Sequence, residues 1–310
     1  MSNDRRLIVN CSGGLGNQMF EYAAGKFFAR RFNRVLEVVK PSESKQQAHG
    51  FKRPFQLDAF RISLTPREAS LFDRVFFSGN PLVQRWHGVL GRLFDAQANQ
   101  ELSAYWYRPE IDIYPNRKNA YLKGYWQSAA YVKAVEAELR EEFQLCASLK
   151  ERNRADADRI NELKCPISVH VRIGDYALID HPAGERGEER VSNVLPAHYY
   201  ERALAQAREL FGNHTLVVFS DEPERARKLF EDSERCLFVE GNDELYAHED
   251  MWLMSLCRHH VIANSSFSWW GAWLGHNPDK RVFAPRHWGN TPDSHFPDLC
   301  PKEWIIVDNL

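Results

Sequence analysis

Several polar segments of the chain directly follow apolar runs, which is where the binding residues of α/β enzymes lie. The first is the glycine-rich turn 13–18, with the sequence GGLGNQ, between an apolar strand and a helix. At such a helix start, backbone amides and the helix dipole can both face an anion. Gly14, Gly16 and Asn17 are therefore candidate anion-binding residues, and a tight turn without a ligand is the alternative.

The second segment, 168–176 (SVHVRIGDY), passes from an apolar strand into a loop with a basic and an acidic side chain. Arg172 at the strand end suits a diphosphate, because its planar guanidinium donates two hydrogen bonds at once. A local ion pair between Arg172 and Asp175 is the alternative. His170 either orients a bound nucleotide or is a strand histidine satisfied by its neighbours.

The third segment, 260–273 (HVIANSSFSWWGAW), ends a strand at Asn264 and begins a helix. Ser265 or Ser266 can cap that helix, or the amides that need capping can hold phosphate oxygens. The tryptophans at 269, 270 and 273 form an aromatic stripe. We interpret this stripe as core rather than as a platform for a sugar.

The fourth segment, 217–222 (VVFSDE), ends an apolar strand with a serine and two acids. Ser220 and Asp221 are placed to hydrogen-bond a nucleotide or its ribose. Capping of the following helix would explain either residue equally well.

No metal site is predicted. Asp156 and Asp158 resemble a DxD metal motif, but they lie in a charged helical segment, where residues two apart point to different sides. The six cysteines form no CxxC and no zinc-type spacing. We interpret them as buried free thiols of a reducing cytosol.

The elements that must position these segments are clearest in the second half, where apolar strands alternate with helical stretches. This alternation indicates a parallel sheet with right-handed crossovers. The predicted strands are 167–171, 215–220, 236–240, 261–263 and 282–284, and the predicted helices are 196–211, 223–230, 250–259 and 266–275. The first half opens with a strand, helix and strand over 7–39, and 41–117 allows no placement. The predicted architecture is α/β, with two Rossmann-like domains facing a central cleft.

Composition narrows the function. The 310 residues are 44% apolar with a formal net charge of -2, which argues against a nucleic-acid partner. No secretory signal and no transmembrane segment are recognised, so a soluble, cytoplasmic protein is expected. A basic group on the first helix is interpreted as a solvated face, and contact with an anionic membrane or acceptor is its alternative. The group comprises Lys26, Arg30, Arg31 and Arg34.

Taken together, four segments resemble the bacterial α-1,2-fucosyltransferases of glycosyltransferase family eleven. The resemblance rests on 13–23, 170–176, 219–221 and 254–274, in the same order. Two departures stand out, because the family usually has a second arginine at Ile173 and glutamine at Glu21. We expect Ile173 to affect the details of donor or acceptor binding and not to abolish activity.

The resemblance implies a GT-B-like fold and inverting transfer of fucose from GDP-β-L-fucose, with no cofactor and no required metal. The product is an α-1,2-fucosyl linkage to a terminal galactose of an oligosaccharide or surface polysaccharide. We expect 1–150 to bind mainly the acceptor glycan and 151–310 to bind GDP-fucose. The predicted donor-binding residues are Gly14, Gly16, Asn17, His170, Arg172, Ser220, Asp221, Asn264, Ser265, Ser266 and Phe267.

Catalysis is assigned to Arg172, for the departing diphosphate, and to Asp175 as general base, with Asp180 as the alternative base. An NAD(P)-dependent oxidoreductase is a competing interpretation, since Gly14 and Gly16 fit its fingerprint and Glu37 is the acidic residue it expects. Its third glycine is missing, because Met19 stands there. A non-catalytic carbohydrate-binding protein is a third possibility.

Overall fold

The computed structural model describes most of the chain. The described residues are 5–41, 47–48, 51–100, 107–108, 117–177, 193–231, 235–289 and 291–310. They form two compact units, Met1–Ala147 with Pro297–Pro301, and Ser148–Phe296 with Lys302–Leu310. The segment Pro297–Pro301 belongs to the first unit, where the Asp298 carbonyl accepts the Ala129 N–H at 2.9 Å.

The first unit is built on a five-stranded parallel sheet with the order β5-β2-β1-β7-β6. Its strands are β1 (Arg6–Asn10), β2 (Val35–Lys40), β5 (Arg67–Glu68), β6 (Ala96–Gln100) and β7 (Asn119–Lys123), beside a hairpin of β3 (Gln47–Ala48) and β4 (Phe51–Lys52). Its helices are α1 (Leu15–Arg31), α2 (Leu71–Phe76), α3 (Pro81–Gln84), α4 (His87–Leu93), α5 (Ala129–Ala134) and α6 (Glu136–Glu142). A 3-10 turn covers Leu57–Ala59.

Helix α1 packs closely on this sheet, and Gly25 permits the approach. A Cβ at Gly25 would lie 2.9 Å from Val9 Cγ2 and 3.0 Å from Leu36 Cδ1. Met19, at the position of the missing third glycine, is fully buried instead. The close helix–strand contact that this glycine normally provides is therefore made two turns later.

The second unit is a six-stranded parallel sheet with the order β10-β9-β8-β11-β12-β13. The strands are β8 (Pro166–Val171), β9 (Thr215–Ser220), β10 (Cys236–Val239), β11 (His259–Val261), β12 (Val282–Pro285) and β13 (Ile305–Val307). The helices are α7 (Glu151–Glu162), α8 (Ala197–Phe211), α9 (Pro223–Leu229), α10 (Ala247–Ser255) and α11 (Ser266–Leu274). Further 3-10 turns cover Asp175–Ala177, Glu244–Tyr246 and Pro292–Ser294.

Both faces of this second sheet are buried. Leu216 and Val218 of β9 pack into one apolar cluster, while Val217 and Phe219 pack into another on the opposite side. Such two-sided burial explains why the strands read as continuous apolar runs rather than as alternating patterns.

The tryptophan stripe on α11 is core, as predicted. Trp269 and Trp270 are fully buried and Trp273 nearly so. Gly271 lets α11 approach α10 closely, since a Cβ there would lie 3.1 Å from Met254 Sδ. A sugar platform on these rings is therefore excluded.

The basic group of the first helix is only in part the solvated face that was predicted, because Arg30 and Arg31 are exposed while Lys26 and Arg34 are not. Lys26 Nζ lies 2.9 Å from Glu142 Oε1 and 3.1 Å from Glu138 Oε2. Arg34 lies beyond the helix end, is 7% exposed, and donates to the Arg117 carbonyl at 2.9 Å. The charges of Lys26 and Arg34 are therefore bound by residues distant in sequence, which the sequence alone does not reveal.

The cysteines are free thiols as predicted, but Cys146 is exposed, and Cys236 and Cys300 are only half-buried. The DxD segment lies in α7, where Asp156 is buried and Asp158 is exposed, so the two carboxylates do point to different sides. Among the described residues, no helix combines the length and apolar composition of a membrane span.

Candidate active site

The candidate site lies where β8, β9 and β11 end, at the centre of the second sheet. β8 pairs with β9 on one side and with β11 on the other. In chain order the strands lie 3-2-1-4-5-6, so the direction of the crossovers reverses between β8 and β11. Ligands of open α/β sheets bind at this switch point, outside the carboxyl ends of the strands.

Arg172 follows β8 and is held by Asp221, which follows β9. Arg172 Nη1 lies 2.9 Å from Asp221 Oδ2, and the Ile173 N–H donates to Asp221 Oδ1 at 3.0 Å. Arg172 is thus paired with the end of the neighbouring strand, whereas the predicted local pair with Asp175 falls on a side chain outside the described residues. Asp221 fixes the guanidinium, whereas its predicted contact with a nucleotide stays a prediction.

Ser220 takes part in the turn after β9. Its hydroxyl accepts the Glu222 N–H at 3.0 Å within this turn. The N-cap of α9 is Glu222, which has no side-chain capping hydrogen bond, so the capping alternative for Ser220 or Asp221 is wrong. The contact of Ser220 with a ligand remains a prediction.

Tyr176 connects the end of β8 to the end of β11. Its hydroxyl donates to the Asn264 carbonyl at 3.0 Å, and the Arg172 guanidinium carbon lies 5.6 Å from its ring centroid. Sequence reasoning gave Tyr176 no role, although the residue stands within the same motif as Arg172. Its aromatic ring and adjacent arginine were the available signal.

Asn264 is anchored and presents one unused oxygen. Its Nδ2 donates to the Asn193 carbonyl at 2.9 Å and to the Trp288 carbonyl at 2.8 Å. Because only a nitrogen can serve two carbonyls, the other atom of the amide must be Oδ1. This oxygen is buried and has no partner among the described residues, so it is an acceptor suited to a donor on a ligand.

His170 is buried on β8 with its ring 5.5 Å from that of Phe267. Burial, with a smaller contribution from the Arg172 charge, lowers the pKa of His170 to about 3. The imidazole is therefore neutral near pH 7. Its Nδ1 has no partner among the described residues, so the prediction of a strand histidine satisfied by its neighbours is wrong for this atom.

Helix α11 begins beside these residues. Ser265 is the N-cap, with extended φ and ψ of -133° and 126°, but its side chain makes no capping hydrogen bond. Its carbonyl accepts the Trp269 N–H at 3.1 Å, which closes the first helical turn. Capping by Ser265, one of the predicted alternatives, is thus wrong, and the helix presents an uncapped positive end of its dipole.

Ile173 departs from the usual arginine because its side chain belongs to the core. It is buried and packs in the apolar cluster that contains Leu195 and Tyr200. An arginine with this orientation would bury an unpaired charge. Isoleucine at position 173 therefore serves core packing, and Arg172 is the one arginine of the motif.

The glycine-rich turn of the first unit is held by its own side chains. Gly13 has a φ of 73°, which favours glycine, and Asn17 Oδ1 accepts from Gln127 Nε2 at 2.7 Å. Glu21 is buried beneath the turn, where its carboxylate accepts the Ser12 N–H at 2.6 Å. The structure thus brings Gly14, Gly16 and Asn17 together, as expected of this turn.

The acid that a dinucleotide site requires is already occupied. Glu37 lies inside β2, where it pairs with Arg6 at 3.2 Å and with Arg67 at 2.9 Å. Together with the buried Met19, these ion pairs remove the support for the oxidoreductase interpretation.

Asp175 begins the 3-10 turn after β8, while its side chain and all of Asp180 lie outside the described residues. The general base therefore remains a prediction. Within the described part of the chain, no group of three or more His, Cys, Asp or Glu side chains could hold a metal.

Solved structures share the fold of this protein. The Arabidopsis thaliana FUT1 mutant in complex with GDP shares the fold with a TM-score of 0.52 and 13% identity, over 96% of this chain and 75% of that one. POFUT1 in complex with GDP follows at 0.51 and 11%, over 92% and 99%. The fold is the predicted GT-B-like fold.

Sequence comparisons then give the family. The model of glycosyl transferase family 11 matches residues 107–308, and the chain belongs to this family. The O-antigen biosynthesis glycosyltransferase WbnK of Escherichia coli is 31% identical over 95% of this chain and 98% of its own length. An α-1,2-colitosyltransferase of Escherichia coli is 29% identical over 97% and 99%. The galactoside 2-α-L-fucosyltransferase SEC1 of Bos taurus is 27% identical over 86% and 63%.

Proposed function

We propose that this protein transfers L-fucose from GDP-β-L-fucose to O2 of a terminal galactose, with inversion at the fucose C1. The observation that carries the proposal is Arg172, fixed by Asp221 at a strand end beside the uncapped start of α11. A fixed guanidinium and a helix dipole both favour the charge that develops on a departing diphosphate. The relatives named as galactoside 2-α-L-fucosyltransferases support the acceptor position.

The proposed reaction is a single displacement. Galactose O2 attacks the fucose C1 from the face opposite GDP, at about 3–3.5 Å, as the C1–O bond to the β-phosphate breaks. The bonding electrons leave with GDP, and the hydroxyl proton passes to Asp175 or Asp180. Arg172 and the amides at Ser265 and Ser266 meet the charge of the leaving group, and no metal is required in this proposal.

The unpartnered acceptor atoms support a nucleotide in the same place. Asn264 Oδ1 accepts hydrogen bonds only, and a ribose or sugar hydroxyl is a donor that would satisfy it. The neutral His170 adds a polar nitrogen without adding charge. The predicted contacts of Gly14, Gly16 and Asn17 with the donor belong to the same proposal.

A second candidate is transfer of colitose at the same site. It is favoured by the α-1,2-colitosyltransferase that matches 97% of this chain. Arg172 and the start of α11 would serve either donor equally, because both contacts are made to the nucleotide and not to the sugar.

The test is product formation from purified protein with GDP-fucose and lactose in the presence of EDTA, measured by mass and linkage analysis. The expected product is lactose carrying α-1,2-linked fucose on its galactose. A parallel reaction contains the colitose donor, and a preference for that donor would replace the first proposal by the second. GDP titration accompanies both reactions, and a protein that binds no GDP would contradict both.

A further inference from the structure

The helices α2, α3 and α4 expose an unusual number of large apolar side chains. Leu71 is 78% exposed, Leu93 is 71% exposed and Trp86 is 61% exposed. The full set, called here the 71–94 surface, comprises Leu71, Phe72, Leu82, Trp86, Val89, Leu93 and Phe94. Single exposed apolar residues need no explanation, but a group this dense marks an interaction surface.

The 71–94 surface is held in place by the core of the first unit. Trp86, the N-cap of α4, and Val89 and Leu93 within the helix follow each other at spacings of three and four, which puts them on one face. Leu90, between them, packs inward against the core. His87 Nε2 lies 3.0 Å from the Val75 carbonyl, which ties α4 to α2.

The exposed faces of α2 and α4 meet at two phenylalanines. The ring centroids of Phe72 and Phe94 are 4.4 Å apart, although both side chains are exposed. The apolar side chains therefore form one surface across α2 and α4 rather than isolated points.

Positive charge surrounds this surface. Arg74, Arg85 and Arg92 are exposed, and no ion pair joins them to a carboxylate of the described residues. The only acid between positions 71 and 94 is Asp73, which is buried and bound by Arg67 at 2.6 Å. The surface thus combines apolar and aromatic side chains with unopposed arginines.

We propose that the 71–94 surface docks this protein on an anionic lipid bilayer. Tryptophan, phenylalanine and leucine beside arginine are the composition of segments that lie in the membrane interface. Each arginine near an anionic surface increases partitioning about fivefold, from about 1 kcal/mol. A second copy of this chain would present the same three arginines, and like charges oppose that pairing.

This surface replaces the first helix as the membrane-facing candidate. Lys26 and Arg34 are engaged within the fold, which leaves only Arg30 and Arg31 exposed on or near α1. The proposal is independent of the sugar that the enzyme transfers.

The experiment is flotation of the full-length protein with vesicles. One set contains equal parts phosphatidylglycerol and phosphatidylcholine, and the other contains phosphatidylcholine alone. The protein should float with the anionic set and be released by added salt, because the arginine contribution is screened. Equal binding to both sets, or none to either, would overturn the proposal without any variant.

Two double variants separate the basic surfaces. Arg85→Ala with Arg92→Ala should weaken flotation about 25-fold, as two factors of about five. Arg30→Ala with Arg31→Ala removes the same charge from α1 and should leave flotation unchanged. The reverse ranking would assign membrane contact to α1 and contradict the 71–94 surface.

Leu93→Gln tests the apolar part, and it should weaken flotation on the order of tenfold. The residue is exposed, so the fold should persist, and GDP titration of the variant checks this. Light scattering of the wild type without lipid provides the remaining control. If the wild type is a dimer and Leu93→Gln is a monomer, the surface pairs two copies of the chain. The lipid proposal would then be wrong.

Discussion

Two strand–turn–helix junctions, called here the α1 corner and the α11 corner after the helices they begin, are alike in backbone and differ in the groups they offer a ligand. In each, a parallel strand leads through a turn into a helix, with no side-chain cap and no acid in the first turn. At the α1 corner, Glu21 is buried beneath the turn and Gln127 leaves its Oε1 without a partner among the described residues. At the α11 corner, Arg172 stands beside the helix start with its charge fixed by Asp221.

The difference teaches that a helix start becomes an anion site through its neighbours. Both corners have the same dipole, which contributes at most about 2 kcal/mol. A buried carboxylate and an amide oxygen favour donors such as sugar hydroxyls, whereas a fixed guanidinium favours a diphosphate. These neighbours favour the start of α11 as the diphosphate site of the proposed function.

The largest expected effect comes from the arginine of the α11 corner. Arg172→Ala should lower turnover with GDP-fucose on the order of 10²–10³-fold, as for loss of one preorganised donor. Arg172→Lys should not restore it fully, because the fork geometry is lost. Steady-state kinetics and GDP titration measure both variants.

Arg53 provides the matched control, since its Nη1 would lie 3.7 Å from a Cβ on Gly14. Arg53→Ala should leave GDP affinity unchanged if the comparison holds. An equal loss in Arg53→Ala and Arg172→Ala would mean that both corners hold the diphosphate.

Acid should destabilise the second unit, which holds all three buried histidines of the described chain. Burial lowers the pKa of His170 to about 3 and that of His259 to about 4, and it lowers the pKa of His260 well below its usual value. The unfolded chain binds these protons near pH 6.5, so stability is full above that pH and falls below it. Each histidine costs about 1.4 kcal/mol per pH unit in this range.

One acid opposes this trend. Burial raises the pKa of Asp250 to about 6, so the folded state binds its proton first and gains stability as the pH falls from about 6 towards 4. The protonation of Asp250 offsets that of one histidine, so the net destabilisation by acid between pH 6 and pH 4 should correspond to about two protons. Denaturant unfolding between pH 7 and pH 5 measures the slope, and His170→Phe should reduce it by one proton. An unchanged slope in that variant would contradict the low pKa of His170.

The α1 corner should be sensitive to a single methyl group. Gly13→Ala should lower the free energy of unfolding by about 2 kcal/mol, from the left-handed backbone and a Cβ placed 2.9 Å from Asn17 Nδ2. Gly212→Ala is the control, with a φ of 63° and no atom within 4 Å of its Cβ. It should lose about 1 kcal/mol from the backbone alone. Equal losses would show that the turn yields to the added carbon.

The smallest effect concerns the far end of α11, where Lys280 Nζ bonds the carbonyls of Ala272, Trp273 and Gly275 at 2.7, 2.9 and 2.7 Å. Lys280→Met should cost about 1.5 kcal/mol, because a charged donor leaves the last turn. Arg31→Met at the exposed end of α1 should lower the free energy of unfolding by only about 0.3 kcal/mol. Thermal unfolding compares the two, and equal shifts would argue against a capping role for Lys280.

The fold of the second unit was largely predictable, while much of the first was not. Continuous apolar runs predicted β8, β9, β10 and β12 to within two residues at each end. β11 was predicted two residues late and β13, which has three residues, was missed. Between 41 and 117, helices of four to seven residues carry too little local signal, because tertiary packing stabilises such short helices.

The sequence by itself determined the parallel sheet, the strand ends that carry Arg172 and Asn264, and the tryptophan core of α11. These follow from periodicity and from the chemistry of single side chains. Only the tertiary structure decided that Asp221 fixes Arg172 across 48 residues of chain, that Ile173 turns into the core, and that arginines surround the 71–94 surface. Partners so distant in sequence meet only when the strands align, so no local pattern could assign them.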